Sequence, residues 1–357
     1  MLTMWNEKLY DVAVALLKQM IATPSLSREE DGTATLISEF LTAMEIPHER
    51  HLNNIWALNK HYDPAKPNIL LNSHHDTVKP NPQYTRDPFS PDVVDGKLFG
   101  LGSNDAGGCL VSLIATFLHF YHRSDLKYNI ILSATAEEEI SGSNGVESIL
   151  AKLPAIDFAI VGEPTQTQLA VAEKGLLVLD CTSTGKAGHA AREEGENALY
   201  KALPDLMWFR DYCFPKVSET LGPVKMSVTV INTSNKAHNV VPADCTFVVD
   251  VRANDQYTLE ELLEIIRANV QCEVKPRSLR MRPSHIPMDH PFVQAGIAAG
   301  KSCYGSPTTS DQALIPATSV KMGPGDSARS HTADEYIYLS EIKDGIDSYI
   351  KLLEAIN

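Results

Sequence analysis

The chain has 357 residues, with 31 Lys and Arg against 45 Asp and Glu, for a formal net charge of -14. Its 43% hydrophobic residues can bury a full core, and its length suits two domains better than one. A charge this negative argues against a nucleic-acid or anionic-membrane partner, since both demand a basic face.

At the N-terminus, Leu9, Val12, Ala13, Leu16, Leu17 and Met20 recur at helical spacing, while Asp11 and Lys18 break any continuous apolar core. This predicts an amphipathic helix rather than an export signal, and no later stretch reaches the roughly 20 apolar residues that cross a bilayer. Short apolar runs then alternate with helical stretches, the pattern of an α/β layer structure. "NILLN" (68–72), "YNIILSAT" (128–135), "IDFAIVG" (156–162) and "TSVKMG" (318–323) read as strands of one sheet. "AGGCLVSLIATFLHFYHR" reads as a helix packed on that sheet. The closing stretch sets Leu339, Ile342, Ile346, Tyr349, Ile350 and Leu353 on one helical face.

The middle of the chain reads strand, helix, strand, strand, helix, strand, the split β-α-β order of a ferredoxin-like α+β domain. We place this insert at 177–285 and the larger domain, a mixed sheet flanked by helices, at 1–176 and 286–357. Six cysteines lie far apart with no C-x-x-C pair, which predicts reduced, mostly buried thiols in a cytoplasmic protein.

Ligands of open α/β sheets bind beyond the carboxyl ends of the strands. Here "NILLN" runs into Ser73, His74, His75 and Asp76, and "NIILSAT" into Glu137, Glu138 and Glu139. "FAIVG" runs into Glu163, and "SVKMGPG" into the segment from Asp326 to His331. Asp105, in "GLGSNDAGG", stands just before a helix expected to begin near Ala106. It occupies the place where a dinucleotide loop needs its third glycine, which rules that loop out. Likewise "SGSNG" lacks the first glycine of a nucleophile elbow. Carboxylates and imidazoles gathered at one rim need a cation among them. His and Asp/Glu donors without thiolate suit catalytic zinc, with cobalt or manganese also fitting. Five candidate ligands exceed one tetrahedral ion, so two metals sharing a bridging carboxylate is the economical arrangement.

The ordered set "NSHHDTV", "GLGSNDAGG", "TAEEE", "VGEPT", "GKAGHAA", "NVVPADC", "DVR" and "GPG" through His331 resembles the co-catalytic zinc amidohydrolases. That family includes acetylornithine deacetylase, succinyl-diaminopimelate desuccinylase, aminoacylases and glutamate carboxypeptidases. The resemblance implies a bridging Asp105, one metal on His74 and Glu163, and the other on Glu139 and His331. It implies that Asp76 orients His74 and that Glu138 is the general base, with Glu137 left to support the loop. His189 matches a histidine that reaches the site, in dimeric members from the neighbouring subunit. Asn239 and Arg252 match positions that contact substrate, although a salt bridge from Arg252 to Asp250 or Asp255 is the plain alternative.

The expectation is therefore a homodimeric hydrolase of small N-acyl amino acids, with the insert as dimerisation domain and lid. N-acetylornithine, the arginine-synthesis substrate, stands first. Thr309 and Ser310, in "PTTSDQAL", resemble a desuccinylase stretch. N-succinyl-ornithine or N-succinyl-diaminopimelate is therefore the alternative, and dipeptidase or carboxypeptidase activity a further one.

Overall fold

The computed structural model describes residues 2–357, with side chains from Lys8 onward. It separates into two compact units. The first comprises the chain up to Val171 together with His285–Tyr304 and Ser310–Asn357; the second comprises Ala172–Ser284 with Gly305–Thr309.

The first unit is built on a nine-stranded sheet. At its centre the order is Asn129–Thr135, Asn68–His74, Phe158–Val161, Thr318–Lys321, and these four run parallel. Asn54–Leu58 and Leu169–Glu173 flank them antiparallel, which makes the sheet mixed. The apolar runs are continuous because both faces are covered, and alternate residues serve opposite layers. Ile69, Leu71, Ile130, Leu132 and Ile160 face one core, while Leu70, Ile131, Ala159 and Val161 face the other.

The expected apolar helix spans Gly108–Phe120, and all of its residues except His119 are buried. An all-round apolar helix requires cover on both sides, and it packs against Leu2–Ile21 and Leu339–Ile356 as well as the sheet. The C-terminal helix buries Ile342, Ile346, Tyr349, Ile350 and Leu353, as its periodicity predicts; Leu339 stays half-buried. Parallel pairing sends all four central strands out at one rim, so the polar clusters that follow them converge. That is the link from sequence pattern to site.

The second unit is built on a four-stranded sheet ordered Lys225–Asn232, Asp244–Ala253, Gly175–Thr184, Glu273–Pro276, antiparallel throughout. In chain order this is second, third, first, fourth, the arrangement that the split β-α-β reading expects. Helices Ala198–Asp211 and Leu259–Asn269 close one face through Ala202, Phe209, Leu262 and Ile266. The second helix is entered through a capping box between Thr258 and Glu261.

All six cysteines are free. Cys109, Cys181 and Cys245 are buried, but Cys272 and Cys303 are half-buried and Cys213 is exposed, so "mostly buried" overstates their cover. Among the described residues no helix is long and apolar enough to cross a membrane.

Candidate metal centre

His74 is the last residue of its strand and is 1% exposed. Its Nδ1 lies 3.0 Å from the carbonyl oxygen of Asp76. A carbonyl only accepts, so Nδ1 carries a proton and Nε2 is the ring atom turned towards the cluster. That Nε2 is buried and makes no hydrogen bond. Around it stand Asp105 Oδ1 at 3.3 Å, Glu163 Oε1 at 3.7 Å and Glu138 Oε2 at 3.8 Å. A buried ring nitrogen facing three carboxylates calls for positive charge among them, a proton or a metal ion.

Asp105 lies in the turn Ser103–Gly107, which leads into the apolar helix at Gly108, two residues later than expected. Its backbone, at φ -120° and ψ 98°, is not helical. The carboxylate therefore faces the rim, with Oδ1 towards His74 and Oδ2 3.6 Å from His331 Nε2. Two imidazoles addressing opposite oxygens of one carboxylate is the disposition a bridging ligand requires.

Glu138 and Glu139 open a short turn after Asn129–Thr135, and they point apart. Glu139 Oε2 meets His331 Nε2 at 2.9 Å, while Glu138 turns towards His74 and Glu163. Their neighbour Glu137 takes a positive φ of 53° and is 6% exposed. Its carboxylate accepts from Asn144 Nδ2 at 3.0 Å, and a Cβ at Gly142 would overlap it, so Glu137 holds the loop. Ligand-capable atoms of His74, Glu138 and Glu163 lie within 4.8 Å of one another, as do those of His74, Asp105 and Glu139.

The electrostatics point the same way. Burial, then Glu163, Glu139 and Asp311 against the pull of His74, push the Glu138 carboxyl well above the usual carboxylate range. Burial also raises Glu139. Burial disfavours a charged His74, but Glu138, Asp105 and Asp76 outweigh it and hold its pKa well above the usual imidazole range. The hydrogen bond to Glu139 raises His331 to about 9. So many protons are called for because negative charge is concentrated here, and divalent ions would take their place. The residues thus fit a two-metal centre.

Asp76 does more than orient His74. Besides the carbonyl contact, its carboxylate accepts from Glu138 N at 3.1 Å, Glu139 N at 3.2 Å and Ser27 Oγ at 2.7 Å. His75 turns the other way, to Thr33 and the carbonyl of Asn53, as alternation along an extended segment predicts.

Three expected residues lie in the second unit. His189 and Asn239 adjoin the ribbon pairing Gly188–His189 with Val240–Val241, where Ala190 N donates to Asn239 O at 2.9 Å. His189 Nδ1 accepts from Ala191 N at 3.1 Å, so its exposed Nε2 is an N–H donor. Arg252 forms the alternative salt bridge, holding Asp250 through Nε at 2.8 Å and Nη2 at 3.0 Å. Its Nη1 remains directed at Thr309 Oγ1, 3.3 Å away.

Two buried acids escape the sequence reading. Asp311 accepts from Thr135 Oγ1 at 2.7 Å and Asn72 Nδ2 at 2.9 Å, and burial raises it to about 6. Glu335 accepts backbone N–H groups of the Asp105 turn. The only signal for the first is its place beside Thr309 and Ser310 in "PTTSDQAL", and for the second its place four residues after His331.

The chain is 26% identical over 379 residues to succinyl-diaminopimelate desuccinylase of Psychromonas ingrahamii, covering 96% of this chain and 98% of that protein. It is 29% identical over 199 residues to succinyl-diaminopimelate desuccinylase 2 of Ruegeria sp., covering 53% of this chain and 50% of that one. The fold matches the Bacillus subtilis YXEP protein, a dinuclear metal binding peptidase from the M20 family, with TM-score 0.73 and 16% identity over 98% of both chains. The profile of peptidase family M20/M25/M40 matches residues 70–355. The chain therefore belongs to peptidase family M20/M25/M40 and is a hydrolase of that family.

Proposed function

We propose that the protein hydrolyses the amide bond of an N-acyl amino acid with two divalent ions, zinc first among them. The observation that supports it most is Asp105, whose two carboxylate oxygens face His74 and His331 at 3.3 Å and 3.6 Å. His74 and Glu163 would hold one ion, Glu139 and His331 the other, with Asp105 shared. When bound, such ions lower the pKa of a water molecule and polarise the acyl carbonyl.

The chain's own residues supply the rest. Glu138, half-buried beside His74, takes a proton from the attacking water and returns one to the departing amine, so the products are a carboxylate and a free amine. Asp76 fixes the His74 ring and the turn that carries Glu138. We assign His189, through its Nε2–H, to the developing oxyanion, and Asn239 and Arg252 to substrate; family resemblance alone carries these three.

For the acyl group we place succinyl ahead of acetyl. Both relatives above are named succinyl-diaminopimelate desuccinylases, and a guanidinium such as that of Arg252 is suited to gripping a second carboxylate. N-acetylornithine, first on sequence alone, has no such support and becomes the control. Turnover of N-succinyl-diaminopimelate, N-succinyl-ornithine and N-acetylornithine should be measured side by side, with a dipeptide alongside. At least about tenfold higher kcat/KM is expected for a succinyl compound, about 1.4 kcal/mol of discrimination. Faster hydrolysis of acetylornithine overturns the acyl assignment, and faster hydrolysis of the dipeptide overturns the deacylase reading.

We also propose a homodimer formed through the second unit, with a cytoplasmic location supported by the six unpaired cysteines. Tyr200, Leu203 and Met207 make an exposed apolar stripe on Ala198–Asp211, and Val230 and Ile231 are exposed on the edge strand Lys225–Asn232. Apolar stripes of this kind mark association surfaces.

A further inference from the structure

We infer that Glu335 is a positioning residue of the metal centre, fixing the backbone of the Asp105 turn and tying it to the segment that carries His331. The inference rests on the two-metal reading above.

Glu335 is 2% exposed. Its Oε1 accepts from Asn104 N and Asp105 N, both at 2.9 Å, and its Oε2 from Gly102 N at 3.1 Å. Its own carbonyl accepts from Gly100 N at 3.0 Å, and its N–H donates to Tyr84 Oη at 3.3 Å. The turn needs such an acceptor. Gly102 is left-handed at φ +74°, and Asp105 leaves helical geometry, so these N–H groups point together rather than along a helix. Converging backbone N–H groups form a cradle for an anion, and a carboxylate of the chain itself fills it.

Position in the chain makes this more than a buried anchor. His331 precedes Glu335 by four residues, so one short segment bears a candidate ligand of one ion and the clamp on the shared carboxylate. A second strap runs parallel to the first. Asn104 exchanges two hydrogen bonds with the backbone of Asp326, upstream of His331, each at 3.0 Å. Asp105 must keep Oδ1 near His74 and Oδ2 near His331 at the same time. A small rotation of its backbone would improve one approach only by spoiling the other. Glu335, bonded to the Asp105 N–H itself, is the group placed to prevent that rotation.

The test is Glu335→Gln. Glutamine has one acceptor oxygen, and its NH2 must meet a backbone N–H that also donates. The variant should be compared with wild type by thermal unfolding, by zinc titration against a chromophoric chelator, and by kcat and KM at saturating zinc. A positioning role predicts about 10–100-fold weaker zinc binding and a similar fall in kcat, with KM changed less than about threefold. If Glu335→Gln does not fold, Glu335→Asp, which keeps the charge but withdraws it by one methylene, is read the same way. Wild-type zinc affinity in the folded variant, with activity lost only in proportion to unfolded protein, overturns the role of Glu335. A wild-type chain that takes up no zinc overturns instead the two-metal reading on which it rests.

Discussion

Asp76 accepts the backbone N–H of Glu138 through Oδ1 at 3.1 Å, while its carbonyl takes the Nδ1–H of His74 at 3.0 Å. One buried residue thus sets both the ring plane of a candidate ligand and the start of the turn that carries the candidate base. In Asp76→Asn the carbonyl and one side-chain oxygen survive. The new NH2 must face either Glu138 N–H or Glu139 N–H, two donors that the carboxylate accepts. The expected result is a loss of about 10–100-fold in metal affinity or turnover, as for other partners of metal-bound histidine. Zinc titration with parallel kinetics checks it, and unchanged values in both would remove Asp76 from the working site.

Glu138→Gln separates chemistry from assembly. Glu139, His331 and Asp105 keep their mutual contacts without Glu138, so metal content and melting temperature should stay close to wild type. Turnover should fall by about 10²- to 10⁴-fold, the range of general acid-base catalysis. Near wild-type turnover in a metal-replete variant would give the proton transfer to another group.

The strands and the rim were legible in the sequence because apolar runs ending in polar clusters are a local signal. His74, Glu139, Glu163 and His331 each follow a run that buried strands require. The direction of each side chain was not legible. Glu138 and Glu139 are adjacent in sequence, and only the turn beginning at Glu137, with its positive φ, sends one to His74 and the other to His331. Arg252 and Asp250, two residues apart on one strand, share a face, which is why the salt bridge forms. Glu335 was invisible because its partners are backbone N–H groups more than 200 residues earlier, and no side-chain pattern encodes them.

Metal removal tests the charge argument directly. Burial and mutual repulsion raise Glu138 and Glu139, so the carboxylate cluster resists full ionisation, and divalent ions would relieve that resistance. Dialysis against a chelator should abolish turnover and lower the melting temperature. Returning zinc to about 100 times its Kd should restore both, adding about 2.7 kcal/mol of stability. Full turnover in protein shown by elemental analysis to hold less than one ion per ten chains would sink the two-metal reading.

His189 poses a question of assembly as well as chemistry. It is exposed in the second unit, and the hydrogen bond from Ala191 leaves its Nε2–H free to donate. Removing one oxyanion donor costs about 10²- to 10³-fold in kcat, so His189→Ala should show a loss of that order. If the donor serves a neighbouring chain, the defect can be complemented. Mixing inactive His189→Ala chains with inactive Glu138→Gln chains would pair an intact base on one chain with an intact His189 on the other. Random exchange makes about half of the dimers mixed, and each contains one complete site, so roughly a quarter of wild-type turnover is expected. The readout is activity after verified subunit exchange, with either variant mixed with itself as control. Exchange without recovered activity would place His189 in service of its own chain.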